Sequence, residues 1–320
     1  MKNFLAFIKE WTLIIAILSG IAGYFIYVNI PFFDSSHHAV HSAIGIIQPV
    51  LIFLMLFITF CKVEPRQMRF RKWHLWILLI QSGLFVGIAC ILMLLPDSGL
   101  RVVLEGAMLC LICPTATAGA VITKRLGGDV NNITTYTVLI NIVTAMLIPA
   151  LVPFVHPNPD LGVWKAALLI LGKVFPLLLL PFFVAMIVKK FSPFLVRMLD
   201  RVPDLSFYLW AVSLALAIAV TTHSVMTTDI DLTTELWLVG ISLICCLLQF
   251  WLGRKIGMKY GDRVTAGQSF GQKNTVLAIW MGYTFFTPVT AVVGGFYSIW
   301  HNVINSYQLY KHEHSHQQSH

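Results

Sequence analysis

The chain has 320 residues, of which 58% are hydrophobic and only 11% are charged. A soluble globular domain carries about 25% charged residues, so this composition argues against a soluble fold and predicts an integral membrane protein. The net charge of +8 does not indicate nucleic-acid binding, because the basic residues stand in short clusters between apolar segments. The six cysteines have no metal-ligand spacing, and no metal or other cofactor is predicted.

Ten apolar segments are long enough to span a bilayer. They cover residues 11–30, 40–60, 75–95, 100–126, 132–155, 164–188, 204–225, 233–253, 264–285 and 287–306. The protein is therefore predicted to be all-α and polytopic, with ten transmembrane helices. Residues 307–320 form a polar, histidine-rich cytoplasmic tail, for which a disordered end is favoured over a metal-binding segment.

The distribution of basic residues predicts the orientation. Nearly all of the 22 lysines and arginines fall in segments that lie in the cytoplasm if the N-terminus does. Arg101 and Lys165 lie outside, and Lys173 and Lys273 lie within predicted spans. This bias follows the positive-inside rule and predicts both termini in the cytoplasm, in a bacterial-type inner (plasma) membrane. Lys173 is expected to snorkel toward an interface.

The ten spans divide into five and five, and an odd number sends the second half into the membrane from the opposite side. Residues 1–155 and 156–306 are therefore predicted to be two inverted repeats within a single membrane-embedded unit, residues 1–320. The fourth and ninth spans occupy equivalent places in these repeats.

Both of these spans contain residues that interrupt a helix. The fourth contains Gly119 and Pro114, which cannot donate a backbone N–H and clashes with the preceding turn. The ninth contains Gly267 and Gly271, which weaken a helix. Opened backbone at membrane depth is tolerated only inside protein or beside a watery cavity, so the broken helices are expected to cross near the midplane at a transporter's binding site.

The half-helix that follows a break presents unpaired N–H groups and the positive end of its dipole. Thr115 and Thr117 are placed to cap one such end, and Asn274 and Thr275 the other. Two positive ends that converge would bind an anion. Lys273, which costs roughly 2.5–3.5 kcal/mol at mid-span, would add its charge to that site or neutralise the carbonyl ends of the half-helices.

Polar side chains in other spans are expected to face the helix bundle. They include His301 and Asn302 in the last span, and Gln81 and Gln249 in the third and eighth. A histidine so placed is often only a hydrogen-bonding link between helices. Glu105, in the outer part of the fourth span, is expected on a solvated face.

Three motifs together resemble the bile acid:sodium symporter family. They are Cys113-Pro114 with small residues up to Thr123, Gly271-Gln-Lys-Asn274 running into Ala278, and Ser298-Ile-Trp-His-Asn302. The resemblance covers nearly the whole chain. It implies a core domain with two crossing broken helices, a four-span panel domain, and alternating-access transport of an organic anion, a bile acid or another carboxylate. It also places four residues at substrate-facing positions: Thr117, Asn274, His301 and Asn302.

The chain departs from this family at the positions where the family binds sodium. The glutamate of the ninth span is Ser269 here, and the glutamine before Asn274 is Lys273. A Ser-Asn pair after the first break reads Gly119-Ala120, and a hydroxyl position in the fifth span is Ile133.

The ion site that the resemblance implies, or its replacement, therefore comprises Gln81, Thr137, Ser269, Gln272 and Lys273. Gln81 and Thr137 match ion-site positions of the family. Hard cations prefer anionic or carbonyl oxygens, so a missing carboxylate and an added ammonium argue against sodium coupling. A proton is the alternative coupling ion.

Two other functions are considered. An arsenite-type efflux permease shares the architecture and uses a cysteine in the fourth span, which Cys113 fits loosely, but it also uses an acid in the ninth span. A non-transporting anion sensor would keep the pocket without flux. No enzyme is predicted, because the spans contain no carboxylate pair, metal cluster or Ser/Lys dyad. The predicted partners are the organic anion and the lipid bilayer, with no nucleic acid and no protein.

Overall fold

The computed structural model of the chain describes residues 2–29, 37–95, 98–157, 160–202, 204–227 and 231–317. These residues are helical apart from short connections. Within these ranges the β-structure is limited to one isolated antiparallel bridge between Thr115 and Lys273. The prediction of an all-α, polytopic membrane protein is confirmed.

Thirteen α-helices follow one another in the described chain. Their bounds are α1 Lys2–Asn29, α2 His37–Cys61, α3 Lys72–Leu94, α4 Arg101–Ile112, α5 Gly119–Arg125, α6 Val130–Val155, α7 Val163–Phe191, α8 Pro193–Asp200, α9 Leu205–Thr227, α10 Leu232–Met258, α11 Arg263–Gly271, α12 Thr275–Phe285 and α13 Pro288–Gln317. Every apolar segment predicted from the sequence is helical. The fourth and ninth segments are each two helices separated by a gap.

The surface of the bundle is apolar and its interior holds polar groups. Six described helices are long and apolar enough to cross a membrane, and two shorter ones are apolar: Ala43–Cys61, Lys72–Leu94, Val130–Val155, Val163–Phe191, Leu205–Thr227 and Leu232–Met258, then Ile14–Asn29 and Thr275–Phe285. Leu94, Trp164 and Phe191 are 79%, 75% and 74% exposed, whereas Gln81 and Lys273 are buried. A soluble protein distributes such residues the opposite way.

The helices fall into two groups by their contacts. In the first group α1 packs against α9, and α2 packs against α7 and α9. In the second, α10 packs against α4, α11 and α13, while α3 packs against α4 and α6. Contacts of α6 with α7, and of α9 with α12 and α13, join the groups. Both gaps belong to the second group.

Glycines allow α10 and α11 to approach each other closely. A Cβ on Gly253 would lie 2.6 Å from the carbonyl oxygen of Ala266 and 3.0 Å from the Cα of Gly267. A Cβ on Gly257 would lie 2.5 Å from the carbonyl oxygen of Asp262. Small residues at the interface are what permits this distance between membrane helices. Gly267 therefore lies inside α11 as a packing residue, where the sequence predicted a helix break.

The other predicted breaks lie at or beside helix ends. Pro114 lies in the gap between α4 and α5, Gly119 is the first residue of α5, and Gly271 is the last residue of α11. The last helix extends further than predicted, because α13 continues to Gln317 through most of the tail that the sequence analysis treated as disordered.

Candidate substrate-binding site

The two gaps in the fourth and ninth apolar segments lie against each other. Residues 113–118 separate α4 from α5, and residues 272–274 separate α11 from α12. The backbone N–H of Asn274 donates to the carbonyl oxygen of Pro114 over 2.9 Å, and the N–H of Ala116 donates to that of Gln272 over 3.0 Å. This pairing forms the antiparallel bridge described above.

Side chains of neighbouring helices also satisfy the opened backbone. The hydroxyl of Thr144 on α6 donates to the carbonyl oxygen of Ile112 over 3.0 Å. The hydroxyl of Tyr297 on α13 donates to the carbonyl oxygen of Gly271 over 2.8 Å. An unpaired carbonyl in a dehydrated interior costs free energy, so these bonds stabilise both gaps.

The side chain of Lys273 is buried at the end of α4. Its ammonium donates to the carbonyl oxygen of Leu111 over 3.3 Å. The Gln81 amide donates to the carbonyl oxygens of Ile112 and Cys113 over 3.5 and 3.4 Å. The last carbonyls of a helix form the negative end of its dipole, so an ammonium offsets that charge. The contact matches the second role expected for this lysine, neutralisation of a half-helix end.

The two half-helices that follow the gaps begin differently. The Oδ1 atom of Asn274 accepts a 3.2 Å hydrogen bond from the N–H of Leu277, which caps α12 as the sequence predicted. Helix α5 begins after Ala118, whose methyl group cannot cap it. Thr115, expected to cap α5, instead donates its hydroxyl to the carbonyl oxygen of Ser269 over 2.6 Å. The seven residues of α5 also sum to a smaller dipole, so α12 is the stronger positive end.

The residues expected to face the substrate lie in different settings. Asn274, 6% exposed, and the half-buried Thr117 lie in the paired gaps. His301 is buried in α13, its ring centre 5.8 Å from that of Tyr297, and its Nδ1 has no hydrogen-bond partner within the described chain. Asn302 donates its amide to a carbonyl of its own helix over 2.7 Å. His301 therefore contacts Tyr297, which in turn bonds to the second gap. Asn302 instead bonds to the backbone of its own helix, α13.

The sequence profile of the SBF-like CPA transporter family matches residues 21–299, a range that includes both gaps. The chain belongs to the SBF-like CPA transporter family. This membership confirms the resemblance to the bile acid:sodium symporter family that the motifs indicated, and the family is one of membrane transporters. No curated protein matches the chain significantly.

This member of the SBF-like family has an apolar side chain where the resemblance implies sodium ligands. A Cβ on Gly119 would lie 3.1 Å from Cδ1 of Ile133 and 3.7 Å from Oε1 of Gln272. These three positions therefore face one another, and the Ile133 side chain fills the space. The hydroxyl of Thr137 donates to the carbonyl oxygen of Ile133, over 2.9 Å, within α6. The Oγ of Ser269 and the Oε1 of Gln272 are buried without a partner in the described chain.

The one fully buried carboxylate among the described residues lies at the opposite end of α4. Glu105, 1% exposed, accepts hydrogen bonds from Nε of Arg101 over 3.2 Å and from the hydroxyl of Thr290 over 3.1 Å. Nδ1 of His156 lies 3.4 Å from the same carboxylate. These donors allow a charge to be buried where the sequence predicted a solvated face. The Glu105 carboxylate therefore links α4 to α13 and to the end of α6.

Cavities also open away from the gaps. One of about 600 Å³ lies where α3, α6 and α11 begin. Its acids are engaged, since Asp129 caps α6, and Asp262 accepts from Nε1 of Trp73 and Nδ2 of Asn132 over 3.0 and 2.8 Å. Another cavity of about 540 Å³ lies between α2, α7, α9 and α12. Neither cavity was predicted from the sequence, although Gln48, a polar residue in an apolar segment, lines the second.

Proposed function

We propose that the protein is a secondary active transporter of a small organic anion, a bile acid or another carboxylate, that works by alternating access. The observation that carries the proposal is the hydrogen-bonded pairing of the gaps, from Asn274 to Pro114 and from Ala116 to Gln272. Broken helices that meet inside a membrane protein are a recurrent way of building a transporter's binding site. Membership of a transporter family supports the same class of function.

The anion would bind beside the start of α12. Because Oδ1 of Asn274 is used in the cap, its amide N–H groups remain for the ligand. The positive end of the α12 dipole and the ammonium of Lys273, one residue earlier, add favourable electrostatics. A hydrogen bond to a charged acceptor is stronger than one to a neutral acceptor. Thr117, His301 and Asn302 would complete the recognition of the substrate.

Alternating access would come from movement between the two helix groups. The first group, α1, α2, α7 and α9, has the composition of the panel that the resemblance implies, and the second group contains both gaps. Residues 1–155 and 156–306 would form inverted repeats of five spans each. The charge bias supports cytoplasmic termini in a bacterial-type inner membrane.

Transport would not require sodium. The ammonium of Lys273 donates to the end of α4, so it supplies a fixed positive charge at a place where the family uses an ion. Ser269 and Gln272 offer neutral oxygens, and hard cations prefer anionic ones. Oε1 of Gln81 already accepts a 2.7 Å hydrogen bond from the hydroxyl of Tyr136, and the hydroxyl of Thr137 is bonded within its own helix. A proton gradient would then be the alternative driving force.

The arsenite-type permease is less well supported. Such a protein would need the thiol of Cys113, but this thiol donates to the carbonyl oxygen of Asn274 over 2.8 Å. That bond gives the cysteine a structural role in the joint between the gaps, by which we mean the set of hydrogen bonds that connects residues 113–118 with residues 272–274. No observation favours arsenite over an organic anion.

Proteoliposomes containing the purified protein test the proposed function. A thermal-shift screen over steroidal and small carboxylates, with cholate and lactate as the two extremes, selects the radiolabelled anion. Uptake is then measured in sodium and in choline, with and without an inward proton gradient. We expect saturable uptake in both media. Equilibrium binding of the anion without any uptake would identify a sensor, and uptake of arsenite but of no carboxylate would favour the permease.

A further inference from the structure

Buried polar side chains form a stripe on each of two helices, α11 and α13. The stripe on α11 continues into the second gap, and its members are at most 2% exposed; those on α13 are at most 7% exposed. Residues three or four positions apart share one face of a helix. We call the two stripes together the polar seam, and its members are Thr265, Gln268, Ser269 and Gln272 on the first helix and Ser298, His301, Asn305 and Gln308 on the second.

Hydrogen bonds connect the two helices along the seam. Nε2 of Gln268 donates to Oδ1 of Asn305 over 3.1 Å and to Oε1 of Gln308 over 3.0 Å. Nearer the second gap, the hydroxyl of Tyr297 donates to the carbonyl oxygen of Gly271 over 2.8 Å. The seam therefore runs from the paired gaps toward the end of α13 that the charge bias assigns to the cytoplasm.

Most side chains of the seam have a polar atom that no protein group satisfies. Within the described chain, these buried atoms without a hydrogen-bond partner are Oε1 of Gln268, Oγ of Ser269, Oε1 of Gln272, Oγ of Ser298, Nδ1 of His301, Nδ2 of Asn305 and Nε2 of Gln308. Buried polar groups are normally paired with protein or with ordered water. A cation would satisfy only the oxygens and an anion only the N–H groups. Water both donates and accepts, so it fits the whole set.

The seam reaches the cavity of about 600 Å³ at the start of α11. Thr265 belongs both to the seam and to the lining of this cavity. A Cβ on Gly128, which also lines it, would lie 3.0 Å from Oγ1 of Thr265 and 2.7 Å from Cγ2 of Thr123. The lining includes the exposed side chains of Lys72 and Arg263. Solvent in the cavity therefore lies next to the first residue of the seam.

We propose that a chain of water molecules occupies the polar seam and conducts protons between the joint and the cytoplasm. Buried waters typically make about three hydrogen bonds, and the unpaired atoms of the seam would hold and orient them. A proton passes along hydrogen-bonded waters from neighbour to neighbour, so each proton that enters at one end is matched by one that leaves at the other. The part played in transport rests on the proposed function with a proton gradient as its driving force, whereas occupation by water does not.

The waters themselves are tested without any substrate. Crystals of the full-length protein grown in a lipidic mesophase, and diffracting well enough to resolve ordered water, should show a continuous file of waters along the seam. They should lie within hydrogen-bonding distance of Oε1 of Gln268, Nδ2 of Asn305 and Nε2 of Gln308. A dry seam, or waters confined to one of its ends, would overturn the proposal.

Three variants of α13 test conduction in proteoliposomes. The probe is radiolabelled cholate, or lactate where the thermal-shift screen selects the smaller anion, and entrapped pyranine reports the pH of the lumen. Asn305→Leu should lose both uptake driven by an inward proton gradient and the accompanying acidification. It should retain exchange of labelled for unlabelled anion, because exchange does not require the proton to be released. Asn305→Ser should keep all three activities, since a hydroxyl and one more water can replace the amide. Ser306→Leu, at the exposed neighbouring position, is the matched control and should behave as the parent.

The failures of the two proposals are distinguishable. Loss of exchange as well as uptake in Asn305→Leu, without rescue by Asn305→Ser, would make the amide only a structural link between α11 and α13. Parental uptake by Asn305→Leu, or parental uptake that ignores the proton gradient, would overturn conduction and leave anion transport standing. A parent that moves neither anion nor proton would overturn the proposed function and conduction together, and the crystals would still decide whether the seam holds water. Elution as a single symmetric peak shows that each variant is folded.

Discussion

The backbone N–H of Asn274 and the carbonyl oxygen of Pro114 are joined by a 2.9 Å hydrogen bond, although the two residues come from different broken segments. The same asparagine caps α12 through Oδ1, and its carbonyl oxygen accepts from the thiol of Cys113. One residue therefore joins the two gaps through its backbone N–H and carbonyl oxygen and caps α12 through its side chain. Variants at this position have to separate its structural role from anion recognition.

Asn274→Asp and Asn274→Leu make that separation. Asp keeps an oxygen that can cap α12 but replaces the amide donor by a negative charge, so we expect near-parental thermal stability and no anion uptake. Leu also removes the cap, which typically costs about 0.5–2 kcal/mol, and should lose both stability and uptake. Thermal unfolding and proteoliposome flux measure the two effects.

The control for this prediction is Thr117→Val, which removes a hydroxyl in the other gap while keeping the shape of the side chain. Its loss of substrate affinity should be near the roughly 0.5–1.5 kcal/mol of one neutral hydrogen bond, and the loss in Asn274→Leu should exceed that. Normal transport by both Asn274→Leu and Thr117→Val would show that the substrate binds elsewhere.

Lys273→Gln should abolish uptake. The change removes the charge that offsets the carbonyl end of α4 at Leu111, and Ser269 provides no carboxylate with which sodium could replace it. The parent protein should transport equally well in sodium and in choline. Flux measured across a sodium titration checks both statements. A steep, cooperative rise of parental uptake with sodium would contradict this account, as would parental activity in Lys273→Gln.

The proposed orientation predicts which loops a membrane-impermeant maleimide reaches in intact cells. A cysteine at Asp231, the residue that caps α10, should be labelled from outside, and a cysteine at Arg66 should be labelled only after the cells are opened. Each cysteine is introduced into a protein that also carries Cys90→Ser. Cys90 is the exposed native cysteine of the described chain and would otherwise react with the maleimide. External labelling at Arg66 would reverse the topology. Residues 30–36 and 228–230 of the predicted outer loops lie outside the described residues.

Gly253→Ala should destabilise the protein because α10 and α11 would have to separate. The new Cβ would lie 2.6 Å from the backbone oxygen of Ala266, and overpacking of this kind typically costs about 1–3 kcal/mol. Gly240→Ala is the matched control, since it lies in the same helix and its Cβ would meet nothing within 4 Å. Thermal unfolding in a constant detergent should show a lower midpoint for the first variant only. Equal midpoints would mean that the two helices are not held as tightly as the structure shows.

The helices and the gaps could be predicted because each depends on local sequence. Apolar segments of spanning length give helices, and Pro114 cannot donate the backbone hydrogen bond that a continuous helix would need at its position. The role of Gly267 could not be predicted in this way. A glycine that breaks a helix and a glycine that lets a neighbouring helix pack closely cannot be told apart from the local sequence. The close packing of Gly253 against Gly267 shows that Gly267 is of the second kind.

Side-chain partners were predicted less well than backbone breaks. Asn274 caps its own half-helix, a local interaction, and this was expected. Thr115 bonds to Ser269 in the other half of the chain, and Glu105 is buried by Arg101 and Thr290. Such partners are distant in sequence, so hydropathy and capping rules contain no information about them. The cavity between α2, α7, α9 and α12 was missed for the same reason.

The pairing of the gaps also constrains how the protein is made. Cys113 and Asn274, which touch in the joint, are 161 positions apart in the chain. Synthesis proceeds from the N-terminus, so the first gap is inserted before its backbone partner has been translated. Until α12 arrives, the polar groups of Pro114 and Ala116 must be satisfied by water or by the insertion machinery. A ribosome that stops after α6 therefore releases a half-protein with an opened helix, a substrate for cellular quality control rather than a smaller transporter.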